Sequence, residues 1–171
     1  SSGMKNVLGI YQADTENSRS CLNLLNDLEK RGLPESGLIF VVDGGSGLNK
    51  ALNEKYLVDD KKNRRAIRIR CYVHKWRNIE KVLGAESHKA LGLFWALRDA
   101  KDLAEAKVVS DRLESVLRDL NLSALSSYLE AKEDLLVIHE LKLSKELKTF
   151  FSTTNPIESL NYLIEEDMRR V

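Results

Sequence analysis

Leu38-Ile39-Phe40-Val41-Val42 is an unbroken apolar run of strand length, and it narrows the architectures open to this chain. A strand with no alternating polar face expects cover on both sides, and helices packed over a parallel sheet are the common way to supply it. Residues 5–12, KNVLGIYQ, read as an earlier strand through the β-prone Val7, Leu8, Ile10 and Tyr11. Between the two, Thr15 offers an N-cap for a helix over 16–31 with Cys21, Leu24, Leu25 and Leu28 on its apolar face. Gly32 ends that helix and Pro34 bars its continuation. Strand, helix and strand in this order imply a parallel βαβ unit with a right-handed crossover.

Asp43 follows the apolar run directly, with Gly44, Gly45 and Gly47 behind it. Ligands of open α/β sheets bind at the carboxyl ends of strands, so an acidic residue here is a site candidate. It reads equally well as a turn residue opening the helix expected over Leu48–Tyr56. The glycines have neither the spacing nor the Lys-Ser/Thr pair of a phosphate-binding loop, which excludes a nucleoside-triphosphate site of that kind.

After a charged loop at Asp59–Asn63, the residues Ile67, Ile69, Cys71 and Val73 alternate with Arg68, Arg70, Tyr72 and His74. That is the pattern of a half-buried strand with one basic face. Nine Lys and Arg fall between Lys61 and Lys81, among them Arg68, Arg70, Lys75 and Arg77, interleaved with Tyr72 and Trp76. Such a stretch suits phosphate contact and base stacking, and it equally suits an edge strand guarded by charge. Cys71 and His74 suggest half a zinc site, but Cys21, His88 and His139 have no spacing that completes four ligands. Cys71 therefore reads as a small core residue, with His74 near the site.

From 79 to 150 the chain lacks proline and carries helical apolar stripes. Leu91, Phe94, Trp95 and Leu97 form one cluster; Leu103, Val109, Leu113, Val116, Leu117 and Leu120 form others, followed by Leu135 to Leu147 and Phe150-Phe151. Three to five amphipathic helices in a small bundle are expected. A last helix opens at Asn155-Pro156, and Ile157, Leu160, Ile164, Met168 and Val171 mark its core-facing stripe. Glu158 lies one residue off that stripe. It can complete an Asn-x-x-Glu capping box, or it can be a metal ligand held on a rigid helix.

No apolar run approaches a membrane span and no signal peptide is evident, so no membrane partner is expected. With two cysteines there is no disulfide framework, and a reducing, cytoplasmic setting follows. A net charge of +1 gives no global pull toward nucleic acid, so any basic surface must be local.

Taken together, VVDGGSGLNKAL (41–52), RCYVHKWRNI (70–79) and STTNPIESLN (152–161) resemble the transposases of the Mutator superfamily, which includes many bacterial insertion sequences. The similarity runs from Asn6 to the C-terminus and is weakest through the helical tract. It implies an α/β fold of RNase H-like type, here partial and lacking N-terminal strands, with an all-α insertion before the last catalytic helix. Residues 5–78 and 152–171 would form the core and 79–151 the insertion, with 1–4 a cloning remnant. The resemblance further implies an active site of two Asp and one Glu holding two Mg²⁺ or Mn²⁺ ions. Asp43 falls on the second Asp, Glu158 on the Glu, and Cys71 and His74 on a Cys-x-x-His signature. Hard divalent cations prefer carboxylate oxygens, and a pair of them suits in-line phosphoryl transfer.

The family's first Asp would lie upstream of this sequence. Asp14 is declined as a substitute because its block resembles a later strand. The expectation is therefore a catalytic-core fragment, inactive alone, of a protein that cleaves transposon-end DNA and joins the freed 3′-hydroxyl to target DNA. Expected partners are both DNAs and further copies of the chain, in a bacterial, nucleoid-associated setting. Two alternatives remain open: a nuclease that hydrolyses without strand transfer, and a non-catalytic DNA-binding or assembly module.

Overall fold

A computed structural model describes residues 6–11, 13, 15, 17–57 and 65–168, without the side chains of 161, 163–165, 167 and 168. Asp14, the 59–63 loop, Lys61, Lys62, Arg64 and the side chains of Ile164, Met168 and Val171 lie outside the described residues. The chain divides into two compact units, Ser1–Phe40 with Gly44–Ile67 and Val41–Asp43 with Arg68–Val171.

In the first unit, helix α1 (Ser18–Lys30) is capped by Asn17, not by Thr15. The Asn17 side chain accepts from the Ser20 N–H at 3.0 Å, and Thr15 instead holds the Asn17 amide through Oγ1 at 3.1 Å. Helix α2 (Ser46–Lys55) packs on α1. Between them, Lys55 reaches Glu29 at 2.7 Å, and the hydroxyl of the buried Tyr56 donates to Glu29 at 2.5 Å. Burial pushes the Tyr56 phenol up, so it stays a donor at any ordinary pH.

The expected strand at 5–12 is absent: the described residues 6–11 have no regular structure, and Val7, Leu8, Ile10 and Tyr11 are exposed. Side chains of high β propensity make a strand only when the backbone finds a pairing neighbour. This segment lies against α1 instead. A Cβ on Gly9 would come within 2.9 Å of Arg31 Nη2 and in contact with Leu24 and Leu28.

The parallel unit is therefore β1–α2–β2, with β1 at Leu38–Val42 and β2 at Ala66–Arg70. Gly37 N–H donates to Arg65 O and Cys71 N–H to Val42 O, each at 2.8 Å, which fixes a parallel register. Cover on both faces of β1 is incomplete: Val42 is buried, but Ile39 is 38% exposed.

Strand β2 stops at Arg70. Cys71 N-caps helix α3 (Tyr72–Leu83), so Tyr72, Val73 and His74 are helical rather than extended. Tyr72, Trp76, Ile79 and Leu83 recur at helical spacing and are all buried, and that stripe outweighs the alternation that continues to His74. Nor is the arginine side of β2 a solvent face, since Arg70 is buried.

The second unit continues through a 3₁₀ turn at Gly84–Ser87 into α4 (His88–Asp99), α5 (Leu103–Leu120), α6 (Leu122–Glu140) and α7 (Lys145–Phe151). Phe94 is fully buried, with ring centroids of Tyr72 at 5.7 Å and Trp76 at 5.2 Å. Tyr72 donates to the Leu135 carbonyl at 2.8 Å, tying α3 to α6. Ala106, Ser110, Ala124 and Ala131 are buried, and Tyr128 spans the contact of α5 with α6 by donating to Ser110 at 2.8 Å. Burial pushes the Tyr128 phenol up to about 12. Leu91, Leu147 and Phe150, expected in the core, are exposed.

Candidate active site

Two backbone hydrogen bonds in the second unit bring together three distant segments of the chain. Cys71 N–H donates to Val42 O, setting the start of α3 beside the end of β1, where Asp43 follows. The next amide, Tyr72 N–H, donates to Ser152 O at 2.8 Å and draws in the segment that opens α8 (Asn155–Met168). The end of β1, the start of α3 and the start of α8 thus adjoin.

Helix α8 begins one residue earlier than its sequence implies. The Thr154 carbonyl accepts from Ile157 N–H at 2.9 Å and Glu158 N–H at 3.1 Å, so Thr154 sits at the cap and Asn155 within the helix. The Asn155 amide is taken by Thr153 Oγ1 at 3.2 Å, and the capping box expected between Asn155 and Glu158 does not form. Ile157, placed on the core stripe by periodicity, is 57% exposed and so lies off the buried face.

Glu158 faces back over its own helix start. Its Oε1 accepts from Thr154 Oγ1 at 3.1 Å and lies 3.7 Å from His74 Nδ1, and its Oε2 is 3.5 Å from Arg77 Nη1. Thr154 Oγ1 also lies 3.1 Å from His74 Nδ1 and 3.4 Å from the buried Cys71 Sγ. Cys71, His74, Thr154 and Glu158 therefore form one polar cluster, with Arg77 beside Glu158. Nothing in the local sequence marks Thr154, whose partners in α3 stand some 80 residues away.

Asp43 is exposed at the carboxyl end of β1. It does not cap α2, whose N-cap is Gly45 with no side-chain bond. Gly44 has φ +102°, a conformation that favours glycine and lets the chain leave the strand sharply. Among the described residues, no group of three or more His, Cys, Asp and Glu could hold a metal ion.

The four basic residues singled out in the sequence occupy two settings. Arg68 pairs with Asp134 at 2.7 Å, and Arg70 and Lys75 both pair with Glu130, Lys75 at 2.8 Å. The side chains of Arg70 and Lys75 are 3% and 4% exposed, whereas that of Arg77 is 58% exposed. Burial alone would raise the Glu130 carboxyl, but the Lys75 hydrogen bond and the charges of Arg70 and Lys75 outweigh it and hold it below the usual range.

The family described as "Transposase, Mutator family" matches residues 1–171, the whole of this sequence. The chain belongs to that family. Among curated relatives, it is 28% identical over 169 residues to the transposase for insertion sequence element IS905 of Lactococcus lactis subsp. lactis (strain IL1403), covering 98% of this chain and 40% of the relative. It is also 28% identical over 161 residues to the transposase for insertion sequence element IST2 of Acidithiobacillus ferrooxidans, covering 92% of this chain and 50% of that relative. This Mutator-family chain thus spans half the length of these relatives or less. No helix among its described residues is long and apolar enough to cross a membrane.

Proposed function

We propose that this chain carries part of the catalytic core of a DNA transposase, with Asp43 and Glu158 as two of its metal-binding carboxylates. The observation that carries the reading is the junction of β1, α3 and α8: two backbone hydrogen bonds assemble the segments bearing Asp43, Cys71-His74 and Glu158. The parallel β1–α2–β2 unit is compatible with an RNase H-like core, and the helices between 79 and 151 with an insertion into it.

The donor set fits Mg²⁺ or Mn²⁺ in kind, since Asp43 and Glu158 offer hard carboxylate oxygens with some exposure to solvent. It is short in number, and a third carboxylate is assigned to the rest of the protein. When bound, a pair of such ions supplies an activated water and charge stabilisation for in-line phosphoryl transfer. The chain's own contribution is positional. Glu158 is held by Thr154 on a helix start, and Asp43 on a strand end. Arg77, the exposed cation beside Glu158, is assigned to the DNA phosphate, while Arg68, Arg70 and Lys75 pair with the carboxylates of α6. Transposon-end and target DNA, and further copies of the chain, are the partners in this reading.

The test is DNA cleavage and strand transfer by the protein at the full length of its relatives, in Mg²⁺ or Mn²⁺. Asp43→Asn and Glu158→Gln should each abolish both steps with folding intact. Activity surviving either change would remove that residue from the site, and retained DNA binding without any cleavage by the parent would favour a non-catalytic module.

A further inference from the structure

We infer that Thr154 is a positioning residue that fixes the Glu158 carboxylate through its side-chain hydroxyl, with His74 and Cys71 holding that hydroxyl in place. The inference rests on the reading of Glu158 as a metal-binding carboxylate and adds a residue to the same site.

Thr154 is 8% exposed, and its Oγ1 has three polar neighbours but one proton. A carboxylate only accepts, and a hydrogen bond to an ionised acceptor is about twice as strong as a neutral one, so the proton goes to Glu158 Oε1. The Thr154 oxygen is then an acceptor, and His74 Nδ1, at 3.1 Å, carries the hydrogen that meets it. A directed relay results, from His74 Nδ1–H to Thr154 Oγ1 and from Thr154 Oγ1–H to Glu158 Oε1. Cys71 Sγ, 3.4 Å from both His74 Nδ1 and Thr154 Oγ1, closes the third side.

Position along the chain reinforces this arrangement. The Thr154 carbonyl accepts the Glu158 amide while its hydroxyl holds the Glu158 carboxylate, so one residue fixes both ends of the glutamate. With Oε1 engaged, Oε2 is the atom left toward Arg77. Groups that orient a ligating carboxylate in this way affect metal affinity without touching the metal.

The test uses the full-length protein and reads Mn²⁺ binding directly, by isothermal titration, beside DNA cleavage and thermal unfolding in EDTA. Thr154→Val removes the hydroxyl and keeps the shape; it should weaken Mn²⁺ binding roughly tenfold or more, with cleavage recovering as Mn²⁺ is raised. Thr154→Ser should bind Mn²⁺ like the parent. The pair Thr154→Ala and Thr154→Ser makes the same comparison if the valine variant fails to fold. Equal Mn²⁺ affinity across either folded pair, hydroxyl present or absent, would overturn the inference. Glu158→Gln separates the two readings. If it binds Mn²⁺ and cleaves like the parent, the catalytic reading itself fails; if it loses both while Thr154→Val stays at the parent level, the positioning role alone is lost.

Discussion

Glu130 is the residue on which the interior charges converge, and its behaviour with pH follows from its partners. Lys75 and Arg70 stabilise its charged form in the folded protein, so its folded value lies below the ordinary 4.5. A depressed carboxyl contributes stability that is fully present above the unfolded value and is lost as pH falls through the folded one. Glu130→Gln should therefore destabilise the protein at neutral pH, and the difference from the parent should shrink as pH drops below 4.5. Urea midpoints for the two proteins across pH 3–7 would measure this. A difference that stays constant through the acid range would mean the carboxylate's charge contributes nothing.

At the scale of elements, α6 is the piece on which the second unit is built. Its Glu130 and Asp134, four apart, meet Arg70 and Arg68, two apart on β2. Four residues of helix advance about 6 Å and two of strand about 6.6 Å, so the pairs align without distorting either element. Phe94 of α4 fills the aromatic cluster with Tyr72 and Trp76, and it is fully buried. Phe94→Ala should destabilise by about 3–5 kcal/mol, read as a drop in the urea midpoint with unchanged slope. A loss below about 1 kcal/mol would mean the cluster collapses into the space.

Elements with a strong local signal were legible in the sequence: β1 from its apolar run, α1 and its stop at Gly32, and the helical tract from 79 onward. The boundary between β2 and α3 was not, because residues 67–74 satisfy a two-residue period while 72–83 satisfy a helical one. The strand expected at 5–12 failed for a different reason, since pairing depends on neighbours that the segment's own residues do not specify. At the β1–α3–α8 junction, the segments carrying Asp43, His74 and Glu158 could be named from their neighbours in sequence. Thr154 could not, because its role is created by side chains brought in from α3.

At the scale of the whole molecule, family membership covers every residue, while the chain matches only 40–50% of the length of the two relatives compared. DNA binding therefore has to be tested in the longer protein. Arg77 is the most exposed of the four basic residues considered, so Arg77→Ala should flatten the dependence of log affinity on log salt by about 0.9 for each phosphate that Arg77 neutralises. Arg70→Ala should leave that slope unchanged and lower stability instead, because its cation is buried against Glu130. A flattened slope for Arg70→Ala would place it on the DNA after all.

The contact between Thr154 and His74 closes a loop of 80 residues, filled by helices that form their bonds locally. Loop-closure entropy disfavours so remote a contact until the helices between its ends have shortened the path. Docking of the start of α8 on α3 is then a late event in folding, and its release an early one in unfolding. Amide hydrogens at the start of α8 should exchange faster than those of α5 and α6. A newly made chain would thus acquire its helices before it joined the two ends of that loop.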